Sequence, residues 1–208
     1  MSYRKNNSIR SLTGILEKIF SYCSESIYLP SDDTYLLYEI LRENPEIEEG
    51  KKALEVGSGS GLLSCVICEK MEFLVAIDIT DHAVECSKKI LYECGCSDFS
   101  DVVQCRSGSC FRDNSFDLIF SNPPYLPDED DPRWSGGARG IEISLEIMRE
   151  ASRTLKLNKG MLFLVSSSLG ALRELLVESL AMGFRPKAVK WIRKFFEVII
   201  VFKFNRGS

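Results

Sequence analysis

The residues best suited to do chemistry in this 208-residue chain are Asn122-Pro123-Pro124-Tyr125. Two successive prolines cannot donate to a sheet ladder, and they stiffen the turn they occupy. The Asn122 side chain and the Pro123 carbonyl are thereby held in fixed directions. Each offers one oxygen that can accept an N–H bond. An amide or arylamine nitrogen is a poor nucleophile because its lone pair is delocalised. Two fixed acceptors orient such a nitrogen and stabilise the positive charge that grows on it. Tyr125 is placed to stack on a planar group. Group transfer to that nitrogen needs in-line approach and no base before attack, so positioning carries the rate. The chain accordingly needs, and offers, no histidine or cysteine candidate for a nucleophile, its single histidine being His82. Asn122, Pro123 and Tyr125 are therefore the candidate catalytic residues. Asn122, Pro123, Pro124 and Tyr125 are the candidate contacts to the acceptor. An adenine amine meets the same geometric demand as a protein amide, whereas a lysine amine would first have to lose a proton.

A second cluster precedes it. Glu55-Val56-Gly57-Ser58-Gly59-Ser60-Gly61 closes an apolar run and opens a helical pattern. Glycines at such a turn let the backbone bend sharply and come close to a ligand, and the helix start presents free N–H groups. The spacing is GxGxG, which differs from the GxGxxG of dinucleotide binders. A carboxylate at Glu55 suits a cationic ligand better than a pyrophosphate. Asp78 ends the next apolar run, where an acid faces ribose hydroxyls across a sheet's switch point.

Positioning these residues requires a particular frame. Apolar spacing of three and four predicts helices over 9–23, 62–71, 81–94, 141–155 and 169–182. Ser31-Asp32-Asp33 predicts the start of another that ends before Asn44-Pro45. Short apolar runs predict strands over 52–56, 73–77, 102–105, 116–120 and 161–165. A closing antiparallel hairpin is predicted over 188–192 and 197–204. Alternating strands and helices mean an α/β domain with a mostly parallel, seven-stranded sheet and helices on both faces. The reading divides the chain into an N-terminal helical extension, residues 1–27, and a main domain, 28–208. No apolar run is long enough to cross a bilayer, so the cytoplasm, or the nucleus as well, is the expected compartment. The eight cysteines show one CxxC, Cys65 and Cys68, without a matching second pair, so neither a metal site nor disulfides are expected. They read as buried thiols.

The strand–glycine loop–helix–strand–acid unit resembles the cofactor half of class I S-adenosylmethionine methyltransferases, which have a Rossmann-like fold. That resemblance implies S-adenosylmethionine as cofactor, with Glu55, Gly57, Gly59 and Gly61 near its methionine part and Asp78 on its ribose. It adds Ile79, Ser109, Cys110 and Asn122 to the cofactor set. Three longer segments narrow the likeness. Tyr28-Leu29-Pro30-Ser31-Asp32-Asp33-Thr34-Tyr35-Leu36-Leu37 resembles a (Y)xPxxDTxLL stretch, 116–125 an FDLIxSNPPY stretch, and 134–142 a WxGGxxGxE stretch. All three belong to the eukaryotic and archaeal HemK-like proteins, the translation release factor glutamine N5-methyltransferases.

From this resemblance follow the glutamine of a class I release factor's Gly-Gly-Gln loop as methyl acceptor, the factor alone or complexed with its GTPase partner, and a small zinc-binding activator subunit as heterodimer partner. Asp33 and Thr34 would help close the cofactor pocket. The closing strands and the Phe99 to Cys110 region would supply the activator surface. Two positions depart from the pattern: Ser109 stands where an acid would approach the adenine, and Ile141 where an arginine often precedes Glu142. An N6-adenine methyltransferase, a protein lysine methyltransferase and a silent scaffold are the alternatives. Against nucleic acid stand a net charge of −4 and the acidic run at residues 128–131 beside the tetrapeptide. The only basic cluster is Lys187, Lys190, Arg193 and Lys194.

Overall fold

A computed structural model describes residues 11–23, 27–127, 131 and 133–207. Residues 9 and 10 of the first expected helix, and Asp128, Glu129 and Asp130 of the acidic run, lie outside them. Two helices come first, α1 (Leu12–Tyr22) and α2 (Asp32–Glu43). The strands are β1 (Lys51–Val56), β2 (Met71–Asp78), β3 (Ser100–Gln104), β4 (Leu118–Ser121), β5 (Met161–Ser167), β6 (Phe184–Arg193) and β7 (Val198–Arg206). Between them run α3 (Leu62–Ile67), α4 (Asp81–Glu93), α5 (Glu142–Thr154) and α6 (Leu172–Ala181).

Seven strands form one sheet in the order β3-β2-β1-β4-β5-β7-β6. The first five are parallel; β7 runs antiparallel to both β5 and β6. The expected architecture is thus present, Rossmann-like with a C-terminal antiparallel hairpin. Successive strand side chains point to opposite faces, and the core divides accordingly. Ala53, Leu74, Leu118 and Phe163 join α1, α2, α3 and α4 on one face, while Leu54, Val75, Ile119 and Leu162 join α5 and α6 on the other. Helix α1 buries Ile15 and Ile19 in the first of these cores.

Boundaries differ from expectation where local signals compete. The helix expected over 62–71 stops at Ile67, and a 3-10 turn over Cys68–Lys70 leads straight into β2 at Met71. Strand β4 begins at Leu118, because Phe116 pairs only with Leu155 as an isolated bridge. The hairpin strands are longer than the apolar runs suggest, since pairing continues through Pro186 and Lys187 to Phe184 and Arg206.

The cysteine reading is corrected. Packing of α1, the α3 turn and α4 on one flank brings Cys23 to Cys86 and Cys68 to Cys96, with Cα separations of 5.3 and 6.0 Å, as disulfides. Cys105 pairs likewise with Cys110 in the turn after β3. The Cys65 and Cys94 sulfurs lie 2.7 Å apart. Helices that pack together place the first two pairs and the Cys65–Cys94 contact, and spacing along the chain does not report it.

Candidate active site

At the carboxyl ends of β1, β2 and β4 opens a cavity of about 580 Å³, the edge where ligands bind in open α/β sheets. Its floor is tied together by backbone groups. Gly57 and Ser58 N–H both donate to the Ile77 carbonyl, at 2.8 and 2.9 Å. The Gly59 N–H donates to Asp78 Oδ2 at 3.0 Å. The other Asp78 oxygen accepts from the N–H and hydroxyl of Thr80, each at 3.1 Å. Thr80 itself caps α4, so Asp78 is free of a capping duty. The Ser121 hydroxyl donates to the Val56 carbonyl at 2.6 Å, which joins the end of β4 to the start of the glycine loop.

Glu55 is 1% exposed and receives the Ser64 hydroxyl from α3. Burial pushes its carboxyl up to about 8, against the lowering effect of that bond. The residue lines the cavity, and burial keeps its carboxyl partly neutral.

The second wall is the tetrapeptide and what surrounds it. Asn122 Nδ2 donates to the Thr34 hydroxyl at 3.2 Å. Asn122 Oδ1 is buried and has no hydrogen-bond partner, an arrangement that is costly unless a ligand completes it. The Tyr125 hydroxyl donates to Asp33 Oδ2 at 2.9 Å, and that of Tyr28 reaches both Asp33 oxygens at 2.8 Å. Burial, then the adjacent carboxylate, raises both phenols well above their ordinary range. They remain neutral donors. Trp134 stands edge-on to Tyr28, with ring centroids 4.9 Å apart.

The loop over 134–142 holds the tetrapeptide from outside. Leu126 N–H donates to the Trp134 carbonyl at 3.0 Å, and Gly136 N–H to that of Leu126 at 2.9 Å. Gly140 has φ +69°, and a Cβ there would lie 2.6 Å from the Tyr125 carbonyl oxygen. Only glycine fits.

Of the residues expected to act, Asp33, Thr34, Glu55, Gly57, Gly59, Asp78, Ile79, Asn122, Pro123, Pro124 and Tyr125 line this one cavity. Gly61, Ser109 and Cys110 do not. A Cβ on Gly61 would meet Ser87 Cα at 3.1 Å, so this glycine lets α3 pack on α4. The Ser109 hydroxyl donates to the Arg106 carbonyl, and Cys110 pairs with Cys105. It is Cys105 and Ser107 from the same turn that face the cavity. Tyr28, Ser58, Thr80, Trp134 and Ile147 line it too and received no role from sequence. Tyr28 and Trp134 stood inside quoted segments; Ile147 is one apolar position among several on α5 and carried no signal.

The model of the methyltransferase small domain matches residues 31–184. This chain is a member of that methyltransferase family. The matched span runs from the capping residue of α2 to the start of β6 and includes the glycine turn, Asp78 and the tetrapeptide, but not Tyr28. The methyltransferase is 29% identical over 187 residues to a protein of Methanocaldococcus jannaschii provisionally named a protein N5-glutamine methyltransferase, covering 84% of this chain and 89% of that one. It is 31% identical over 135 residues to the release factor glutamine methyltransferase of Aliivibrio fischeri, covering 61% of this chain and 45% of the bacterial enzyme. Among solved structures it resembles the E. cuniculi Mtq2–Trm112 complex, described as responsible for methylating the eRF1 translation termination factor. The TM-score there is 0.72 at 24% identity, over 87% of this chain and 99% of that one.

Proposed function

We propose that this methyltransferase transfers a methyl group from S-adenosylmethionine to the side-chain amide nitrogen of a glutamine in a class I translation release factor. The observation that carries the reading is the buried, unpartnered Asn122 Oδ1 at the wall of the cavity. It is an acceptor held ready for an N–H donor. The names of the archaeal and bacterial relatives support a glutamine as that donor.

The residues present fit the cofactor. Asp78 offers a carboxylate at the ribose end, and the Gly57–Gly59 turn leaves room for close approach: nothing lies within 4 Å of a Cβ built at Gly57. When bound, S-adenosylmethionine supplies a methyl group made electrophilic by its sulfonium. The chain's own part is to hold the acceptor. Asn122 Oδ1 and the Pro123 carbonyl take the two N–H bonds of the amide and stabilise the charge that develops on nitrogen. Tyr125, fixed by Asp33, covers the planar group. Tyr28 and Trp134 narrow the mouth and exclude water.

A small zinc-binding activator, alongside the release factor, completes the proposal; that the Mtq2–Trm112 structure is a complex supports a partner subunit. One of the sheet's two edges, β3, exposes Val103, with Phe99 exposed just before the strand, and suits such a subunit. Nucleic acid is a poorer acceptor for this surface. Of the basic cluster Lys187, Lys190, Arg193 and Lys194, Lys190 pairs with Glu39 and Lys194 with Asp32, and no helix among the described residues is apolar and long enough to cross a membrane.

The test is to incubate the chain, with and without the activator, with methyl-labelled S-adenosylmethionine and either a release factor or adenine-containing nucleic acid. Label on the release factor is expected, and its loss when the Gly-Gly-Gln glutamine is changed. Label on the nucleic acid alone overturns the assignment.

A further inference from the structure

An asparagine amide can present either its oxygen or its nitrogen, and only the oxygen can accept from an NH2 group. The neighbour that decides the matter is Thr34, 6% exposed at the first turn of α2. A hydroxyl has one hydrogen and two lone pairs. The Thr34 hydroxyl donates its hydrogen to Asp33 Oδ1 at 3.2 Å. A carboxylate only accepts, and this one also collects the Thr34 N–H at 2.6 Å and the hydroxyls of Tyr28 and Tyr125. With its hydrogen committed, Thr34 Oγ1 can only accept. It does so from Asn122 Nδ2 at 3.2 Å and from the Ser31 N–H at 3.4 Å. The nitrogen end of Asn122 is thereby turned to α2, and the oxygen end is left buried without a partner.

We infer that Asp33 and Thr34 are positioning residues, a hydrogen-bond relay that sets the Asn122 amide with its oxygen toward the acceptor nitrogen. The role rests on reading Asn122 as the amide acceptor. The same carboxylate holds the Tyr125 hydroxyl at 2.9 Å, so one buried acid fixes both the residue that accepts from the substrate and the ring that covers it. The relay also makes the site selective. With only an acceptor presented, a group without N–H hydrogens leaves Oδ1 unpaired, a penalty that rejects it.

Thr34→Val keeps the shape and removes the relay, while Thr34→Ser keeps the hydroxyl. The expected result for Thr34→Val is a fall in kcat of about 100-fold with cofactor and protein acceptor both saturating, the scale of a small misplacement at a reacting centre. Cofactor affinity by calorimetry should be retained, and Thr34→Ser should recover most of the rate. An unchanged kcat, or a loss cured by more cofactor, overturns the relay. Should Thr34→Val fail to fold, the wild-type protein still answers by nuclear magnetic resonance. The Asn122 side-chain NH2, assigned with Asn122→Asp, should exchange with solvent far more slowly than exposed asparagine amides. Exchange as fast as theirs overturns the inference. Because the exchange measurement needs no substrate, it stands apart from the release-factor assay: a wild-type protein that labels no release factor refutes the proposed reaction and leaves the orientation measurable.

Discussion

The Gly59 N–H and the Asp78 carboxylate are bonded at 3.0 Å, so the glycine turn after β1 and the acid that ends β2 form one unit. Asp78 aims where it does because the turn holds it there. Replacing Asp78 with alanine is expected to lower cofactor affinity about 10- to 100-fold, the range for losing hydrogen bonds to a charged group. Titration calorimetry against S-adenosylmethionine measures it, and an unchanged dissociation constant removes the ribose assignment.

Asn122→Ala is the complementary change. It deletes the unpartnered acceptor and leaves the glycine turn intact. Turnover at saturation should drop by at least about 100-fold, as when a preorganised charge-stabilising group is lost, while cofactor still binds. Retained methyl transfer would sink the acceptor role.

Gly140→Ala tests the loop that braces the tetrapeptide. A side chain there needs a left-handed backbone and meets the Tyr125 carbonyl oxygen at 2.6 Å. A loss of about 1–3 kcal/mol in stability follows from the backbone conformation alone, with the Tyr125 contact adding to it. Denaturant melts and kcat should fall together. A variant with wild-type stability shows that the loop shifts freely.

Glu55 makes stability depend on pH. Its carboxyl is raised from 4.5 to about 8 in the folded protein, so between those values the folded state holds a proton that the unfolded chain has released. The contribution is fully present below about 4.5 and is lost as pH rises through about 8. Glu55→Gln, which cannot ionise, should gain on the wild type by an amount on the order of a few kcal/mol over that window. Melting curves of both proteins without cofactor, from acid to pH 9, decide it; parallel pH profiles contradict it.

Much of this was legible beforehand, for identifiable reasons. Strands β1, β2 and β5 announced themselves because both faces are covered, which leaves continuous apolar runs. The tetrapeptide and glycine turn were legible because chain stiffness and backbone approach each demand one residue type. What stayed hidden depends on contacts between segments far apart in the chain. Asp33 was expected at the cofactor pocket, yet its carboxylate serves Tyr28 and Tyr125, the latter 92 positions away. Gly61 looked like part of a ligand loop, and only the approach of Ser87 on α4 shows its packing use. Two of the disulfide pairs were missed for the same reason, Cys23 and Cys86 being 63 residues apart and Cys68 and Cys96 being 28 residues apart.

Strand β7 lies between β5 and β6 although it follows both in the chain. An interior strand that comes last leaves a gap which nothing else can fill, and β5 keeps an unpaired edge until β7 arrives. Docking of the β6–β7 hairpin therefore has to close the sheet late, across a long loop whose entropy is lost first. Val201 is fully buried on β7 opposite Val165 of β5. In stopped-flow refolding, Val201→Ala should slow folding less than its loss of stability would allow and speed unfolding more. Refolding slowed in full proportion would place the hairpin in the nucleus. Until that closure the β5 edge is open to a strand from another molecule, so the yield of refolded protein should fall as its concentration rises.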